Sequence, residues 1–276
     1  MTPFTLIALH GNGGGGFQFE RVRPYLPSHI HFLTPTLPGF ADVPSNKHYV
    51  TITDYAEHLY WLVKEQTQPV VVLGTGIGGS IILEFLQFFA FSVEGAILHA
   101  PVGANLDHQL FPHLMSFPGM RALSKHAFSS RLVRPLWKRL LFESPIPTAY
   151  LDQFFEEYRR CSVFEQMFDL ISSNWFQILT PVDIPSVLVW GQRETVLKVN
   201  QIKAFEALLP QAQVRIVPDW DHFPMIEQPD EYAAEIMVLA TRLLEKNKAR
   251  TTTTSLVTSL PPLQKPADEA AIQHFL

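Results

Sequence analysis

An α/β fold with a mainly parallel sheet, helices on both faces and a helical insertion is predicted by three observations. Six short apolar runs, at 4–9, 29–35, 69–74, 94–100, 186–191 and 213–218, are β-branched or Leu-rich and stop at Gly, Pro or a polar residue. Runs of that kind, without clean alternation, read as strands buried on both faces. Helix-period stretches lie between several of them, and strand–helix alternation is the pattern of a parallel sheet covered on both sides. One stretch, 102–182, is helical and aromatic throughout and carries no strand pattern.

Taken in order, FTLIAL (4–9) is the first strand and runs into LHGNGGGGFQF, a glycine-rich turn expected to leave backbone N–H groups free for an anion or oxyanion. HIHFLTP (29–35) is the second strand. The helix at 53–66 opens at a Thr/Asp cap. PVVVLG (69–74) breaks into glycines and resumes as the apolar helix 78–91, and EGAILHA (94–100) is the fourth strand. Residues 102–182 form a predicted cap folded over one end of the sheet. SVLVWG (186–191), a helix at 197–209, QVRIVP (213–218) and a helix at 229–246 complete the core; Pro229 and acidic residues open that last helix. The core is thus 1–101 with 183–246. The polar, proline-broken stretch 247–276 is expected to be a disordered tail. The sequence shows no internal repeat.

Composition bounds the function. The chain has 276 residues, 47% of them hydrophobic and 17% charged, which fits one elaborated domain or two small ones. A net charge of −5 argues against nucleic-acid binding, because no basic excess exists to displace counterions. No apolar run approaches the ~18 residues of a membrane span, and MTPFTLIALHG does not read as a secretory signal. A single cysteine, Cys161, suits a reducing compartment. These features predict a soluble cytoplasmic protein; they point to no metal or cofactor and leave the oligomeric state open.

The stretch VVVLGTGIGGS (70–80) fits two templates. Gly74-Thr75-Gly76-Ile77-Gly78 has the frame of G-x-S-x-G, which mounts a nucleophile on a sharp strand-to-helix turn. Gly74, Gly76 and Gly79 equally satisfy G-x-G-x-x-G, which seats a pyrophosphate on a helix N-terminus. The second template wants a carboxylate about 20 residues on, past a strand end. Glu94 has the spacing but stands before its strand. The first wants a carboxylate and then a histidine in loops after later strands. Gly191-Gln192-Arg193-Glu194 and DWDHFPMIEQPDEY, which holds His222, supply both in that order.

With LHGNGG, TLPGF, LGTGIGGS, VLVWGQRE and DHFPMIEQPDEY each in place, the chain resembles the α/β-hydrolase-fold superfamily of small-molecule esterases, lyases and dehalogenases over about residues 4–245. The resemblance implies an oxyanion hole from the backbone at Asn12 and Ile77. It implies an acid, Glu194, orienting a base, His222, and a cap that covers a small apolar substrate. The departure is Gly76, which occupies the nucleophile position and offers no atom for a covalent intermediate. Thr75 stands before the apex and Ser80 a turn inside the helix, facing away. Asp107 is an alternative acid, since some members of this fold place it after the fourth strand.

Three functions are compatible with these residues. The first is a hydrolase-like or lyase-like enzyme using non-covalent general-base chemistry. The second is a pseudo-hydrolase that binds a ligand or partner without turnover, and the third is a dinucleotide-dependent enzyme. His10 is expected to stabilise the glycine-rich turn, His99 to be a satisfied core or rim histidine, and Cys161 to be helix packing. Arg121, Lys125, Arg131, Arg134, Lys138 and Arg139 form either a solvated helix face or a basic patch that touches an anionic lipid surface.

Overall fold

A computed structural model describes residues 3–106, 110–142 and 144–257. Six strands, β1 (Phe4–Leu9), β2 (Ile30–Leu33), β3 (Val70–Thr75), β4 (Gly95–His99), β5 (Ser186–Gly191) and β6 (Ala212–Val217), form one sheet in the order β2-β1-β3-β4-β5-β6. Every pair in it is parallel. Every residue of β1, β3, β4 and β5 is buried, as their unbroken apolar runs require.

β6 departs from its expectation. Its middle four residues are exposed, because it is an edge strand paired only to β5. The charge of Arg215 sits on that edge and pairs with Glu235, at 2.6 Å. A charged, partly covered edge resists pairing with another chain.

Helix α1 (Ile52–Lys64) opens with a complete capping box, in which Thr51 and Asp54 satisfy each other's backbone N–H. It packs on α2 (Ile77–Phe89), and the final helix α11 (Pro229–Val257) packs on β3 and β4. α11 runs past residue 246, where a disordered tail is expected from composition. Long-range bonds explain the extension: Lys246 reaches the Gln211 carbonyl, Asn247 reaches Glu94 at 2.7 Å, and Arg250 reaches the Asp183 carbonyl. Residues 258–276, the rest of that expected tail, lie outside the described residues.

Among the described residues the regular elements between β4 and β5 are helices: α3 (Leu110–Met115), α4 (Met120–Ser129), α5 (Arg134–Leu141), α6 (Thr148–Arg160), α7 (Met167–Leu170) and α8 (Ser173–Ile178). The segment is fastened to the core at several points. The backbone N–H of Gly15 donates to Glu157, that of Ser144 to Glu227, and Arg160 pairs with Asp42. At its exit Thr180 bonds Gln87 through its N–H, its hydroxyl and its carbonyl. Two short helices follow β5 and β6: α9 (Ile202–Leu208) and α10 (Pro224–Glu227). The helix expected at 197–209 begins later, at 202. Residues 196 and 197 are occupied elsewhere, their N–H groups on Glu194 and the Leu197 carbonyl on the Trp190 indole.

Candidate active site

The turn from β3 into α2 is as sharp as its glycines allow. Gly74 and Gly78 let strand and helix touch: a Cβ on Gly74 would lie 2.4 Å from the Gly78 backbone, and one on Gly78 would lie 2.5 Å from the Leu9 carbonyl. Gly76 sits at the apex with φ +53° and ψ −118°, a conformation that residues with a side chain adopt only under strain. The space beside it is open. A Cβ there would meet nothing nearer than the Gly11 Cα, at 3.8 Å. Position 76 therefore has room for a side chain and lacks one.

Ile77 is the first residue of α2, and its N–H has no intrahelical acceptor. Across from it stands the turn after β1. Here the expectation of free amides holds only in part, because side chains take several of them. Gly11 donates to Gln18 Oε1, Gly15 to Glu157 and Gly16 to Thr36. The Asn12 N–H is left without such a partner. His10 fixes this turn as expected. Its Nε2 accepts from the Leu37 N–H and its Nδ1 meets the Gly11 carbonyl, while burial lowers its pKa to about 4 and keeps the ring neutral.

The loops after β5 and β6 bring Glu194 and His222 together, with His222 Nδ1 2.7 Å from Glu194 Oε2. Gly191 permits the approach, since a Cβ there would collide with the Trp220 carbonyl at 2.2 Å. The other oxygen of Glu194 accepts from the N–H groups of Val196 and Leu197, at 2.6 and 3.1 Å. Burial works to raise the Glu194 pKa, yet the charge and hydrogen bond of His222 and those two amides outweigh it and hold the group below its ordinary value. For His222 burial works to lower the pKa, and Glu194, with help from Asp221, turns the shift upward. The ring is 26% exposed, so one side of it remains open.

Gly76, Ile77, Asn12 and His222 all line one cavity of about 680 Å³. Its outer wall comes from the helical segment, including Met115, Leu123, Trp137, Phe164 and Met167. A mostly apolar cavity of this size with a few convergent polar groups has the form of a small-molecule site.

Ser80 points elsewhere, donating to the Val102 carbonyl at 2.7 Å, and so fastens the elbow. Thr75 lines the cavity beside the apex. Cys161 is fully buried, and burial pushes its thiol up to about 11, so it is packing as expected. Asp107 lies outside the described residues. Arg121, Arg134 and Lys138 each have carboxylate partners, Asp169 for the first and Asp152 for the other two, which removes much of the basic character of that patch.

His99 corrects its expectation. It lines the cavity, and its Nε2 is buried without a partner. Gln18, which the sequence reading missed, is in the same state: 1% exposed, lining the cavity, with Nε2 unpartnered. A polar side chain inside the otherwise aromatic GFQF run was the available signal. The dinucleotide reading loses its carboxylate. The Glu94 N–H bonds the Val70 carbonyl at the start of β3, so Glu94 stands at the opposite end of the sheet from Gly76.

Comparison with known proteins decides the family. The sequence profile of the Alpha/beta hydrolase family matches residues 6–235. The chain belongs to the alpha/beta hydrolase family. Among its relatives, Lipase 1 of Psychrobacter immobilis is 22% identical over 235 residues, covering 83% of this chain and 74% of the lipase. A human monoacylglycerol lipase is 19% identical over 249 residues, covering 84% and 74%. The solved structure of a laboratory-evolved potato epoxide hydrolase superposes with a TM-score of 0.70 at 15% identity, covering 87% of this chain and 93% of that chain. Among the described residues no helix is long and apolar enough to cross a membrane, and no cluster of three or more His, Cys, Asp or Glu side chains could hold a metal ion.

Proposed function

We propose that this chain hydrolyses a small apolar ester without a covalent intermediate. Residues 102–182 act as a cap over the substrate, and Glu194 holds His222 as a general base. Its lipase relatives support the ester class, and the cavity lining supports an apolar acyl group. In this reading a water occupies the space beside Gly76. Nε2 of His222 takes its proton as the water oxygen bonds to the carbonyl carbon, and the N–H groups of Asn12 and Ile77 receive the oxyanion. The tetrahedral intermediate then expels the alcohol, which leaves with the proton returned by His222. General-base help supplies ~10²–10⁴-fold and an oxyanion donor ~10²–10³-fold. The catalyst is therefore expected to be modest. The single cysteine suits a reducing compartment, and we read the protein as cytoplasmic.

The carrying observation is the 2.7 Å His222–Glu194 bond on the wall of the cavity that Gly76 lines. A second reading, a binder without turnover, is favoured by the missing reactive atom at the apex. Active-site labelling separates the two. A fluorophosphonate probe is expected to leave the wild type unmodified and to modify Gly76→Ser, while the wild type turns over short-chain esters with no burst. Labelling of the wild type would end the non-covalent mechanism. A folded wild type that hydrolyses none of a panel of alkyl and aryl esters would leave the binder.

A further inference from the structure

His222 is joined to the cap through the residue that follows it and through two carboxyl groups. The Phe223 ring meets the His222 ring edge-on, with centroids 4.5 Å apart. Phe223 also packs on two cap residues, Phe142 at 5.6 Å and Phe154 at 5.4 Å. Asp221 accepts from the Phe223 N–H at 2.9 Å, and Glu227, at the end of α10, accepts from the Ser144 N–H of the cap at 2.8 Å. The two carboxyls are hydrogen-bonded to each other. An ionised carboxylate is an acceptor only, so a bond between the two exists only while they share a proton. With that proton in place the 221–227 turn is closed around Phe223, and the carboxyl that closes it also holds the cap.

We infer that Glu227 is a positioning residue for His222: through one proton shared with Asp221 it closes the turn that carries the ring and ties that turn to the cap. The role toward His222 as a base rests on the proposed reaction, whereas the joint itself does not. Burial is the largest influence on Asp221 and the Glu227 bond the next, and together they push its carboxyl from 3.8 up to about 7 against the Phe223 N–H and His222. The pair titrates as a unit. Its proton leaves as pH rises through about 7. Relative to an open turn with ordinary carboxyls, the closed turn therefore loses stability between about pH 4 and 7 and levels off above. The charged groups around the pair are His222 with Glu194 behind it, Arg193, whose N–H bonds the Trp220 carbonyl, and Arg21, whose guanidinium donates to the Ile226 carbonyl. From the cap comes Tyr150, which lies under Arg21 and is kept protonated by burial. α11, packed on α10, carries Asp230 and Glu231 in its first turn. The charge of Asp221 in turn helps raise the His222 pKa, so the base and the cap answer to the same proton.

Hydrogen exchange of the full chain, followed by NMR from pH 5 to pH 8 and corrected for the intrinsic rate at each pH, tests this. In the wild type, protection of the Ser144 and Phe223 amides relative to those of β3 is expected to fall at least about tenfold from pH 5 to pH 7 and then to level off. Asp221→Asn, whose amide donates to Glu227 at every pH, should flatten that profile. Glu227→Gln should flatten it as well, because its oxygen accepts from Ser144 while its NH₂ donates to Asp221. Glu227→Ala should lose protection at every pH; if it does not fold, the two amide variants decide. The titration of the His222 ring protons is a readout that packing alone would not move, and Asp221→Asn should lower its pKa. A flat wild-type profile, an Asp221→Asn profile as steep as that of the wild type, or an unmoved His222 overturns the inference. Ester hydrolysis is measured in parallel. A proton-linked joint without turnover keeps the joint and removes the reaction, whereas turnover with a flat wild-type profile sinks the joint alone.

Discussion

The two halves of this site are finished to different degrees. At the ends of β5 and β6 the carboxylate is fully engaged, with Glu194 accepting three hydrogen bonds, His222 held on one of them, and Gly191 pared back so the two loops can touch. At the end of β3 the turn is just as closely packed, yet its apex carries no functional group. The contrast separates scaffold from reagent. The bend that presents residue 76 is set by Gly74, Gly78 and the Ser80 anchor, none of which depends on what residue 76 is. A cavity can therefore keep its acid–base half and its backbone donors while its covalent chemistry is absent.

The largest expected effect breaks the finished half. His222→Asn should lower ester hydrolysis by ~10²–10⁴-fold, measured as kcat/KM with folding checked by circular dichroism. If the variant keeps full activity, the base has been misassigned. Next comes the bond between the two groups. Glu194→Gln should cost about 1.5–3 kcal/mol of stability near neutral pH, read by denaturant titration. The sign at each flank follows from the two shifts. Glu194 is held below its ordinary value, so its contribution is present above the usual carboxylate range and fades as pH falls through the lowered pKa. His222 is raised, so its contribution is complete below about 6.5 and is lost as pH rises through the raised pKa. The stability gap between wild type and variant should thus peak between those limits. A gap independent of pH would mean the pair contributes nothing ionic.

The smallest effect concerns Asp221, next to His222. Burial and a hydrogen bond to Glu227 push its carboxyl up to about 7. A raised acid opposes folding wherever the unfolded chain would ionise, so the penalty is absent below about pH 3.8 and grows until about pH 7. Asp221→Asn is expected to raise Tm by a few degrees at pH 8 and to leave it unchanged at pH 3.5. That corresponds to roughly 1 kcal/mol after allowance for a partly solvated site. A fall in Tm at pH 8 would show that the charged form is the one the fold needs.

What was legible from the sequence follows the same division. Strand order along the chain, the carboxylate after β5, the histidine after β6 and the bare apex could all be read, because each is tied to a local signal: a glycine, a strand end, a fixed succession of loops. Features made by distant contacts could not. Thr251 to Thr254 suggest a tail, while the helix through them is extended from residues whose partners are 153 positions away in one case. His99 and Gln18 carry no sign in the sequence that each has a buried nitrogen without a partner. β6 has the composition of a core strand and is exposed by its place at the border of the sheet.

The positive φ of residue 76 has a mechanical consequence. Any residue other than glycine would hold that bend under a load of about 1–3 kcal/mol, and a chain without that load has a relaxed hinge between its third strand and the helix behind it. Reactivity and thermal endurance are thereby set against each other at a single backbone torsion. Installing an attacking atom at this corner is expected to tighten a spring that the present sequence leaves slack.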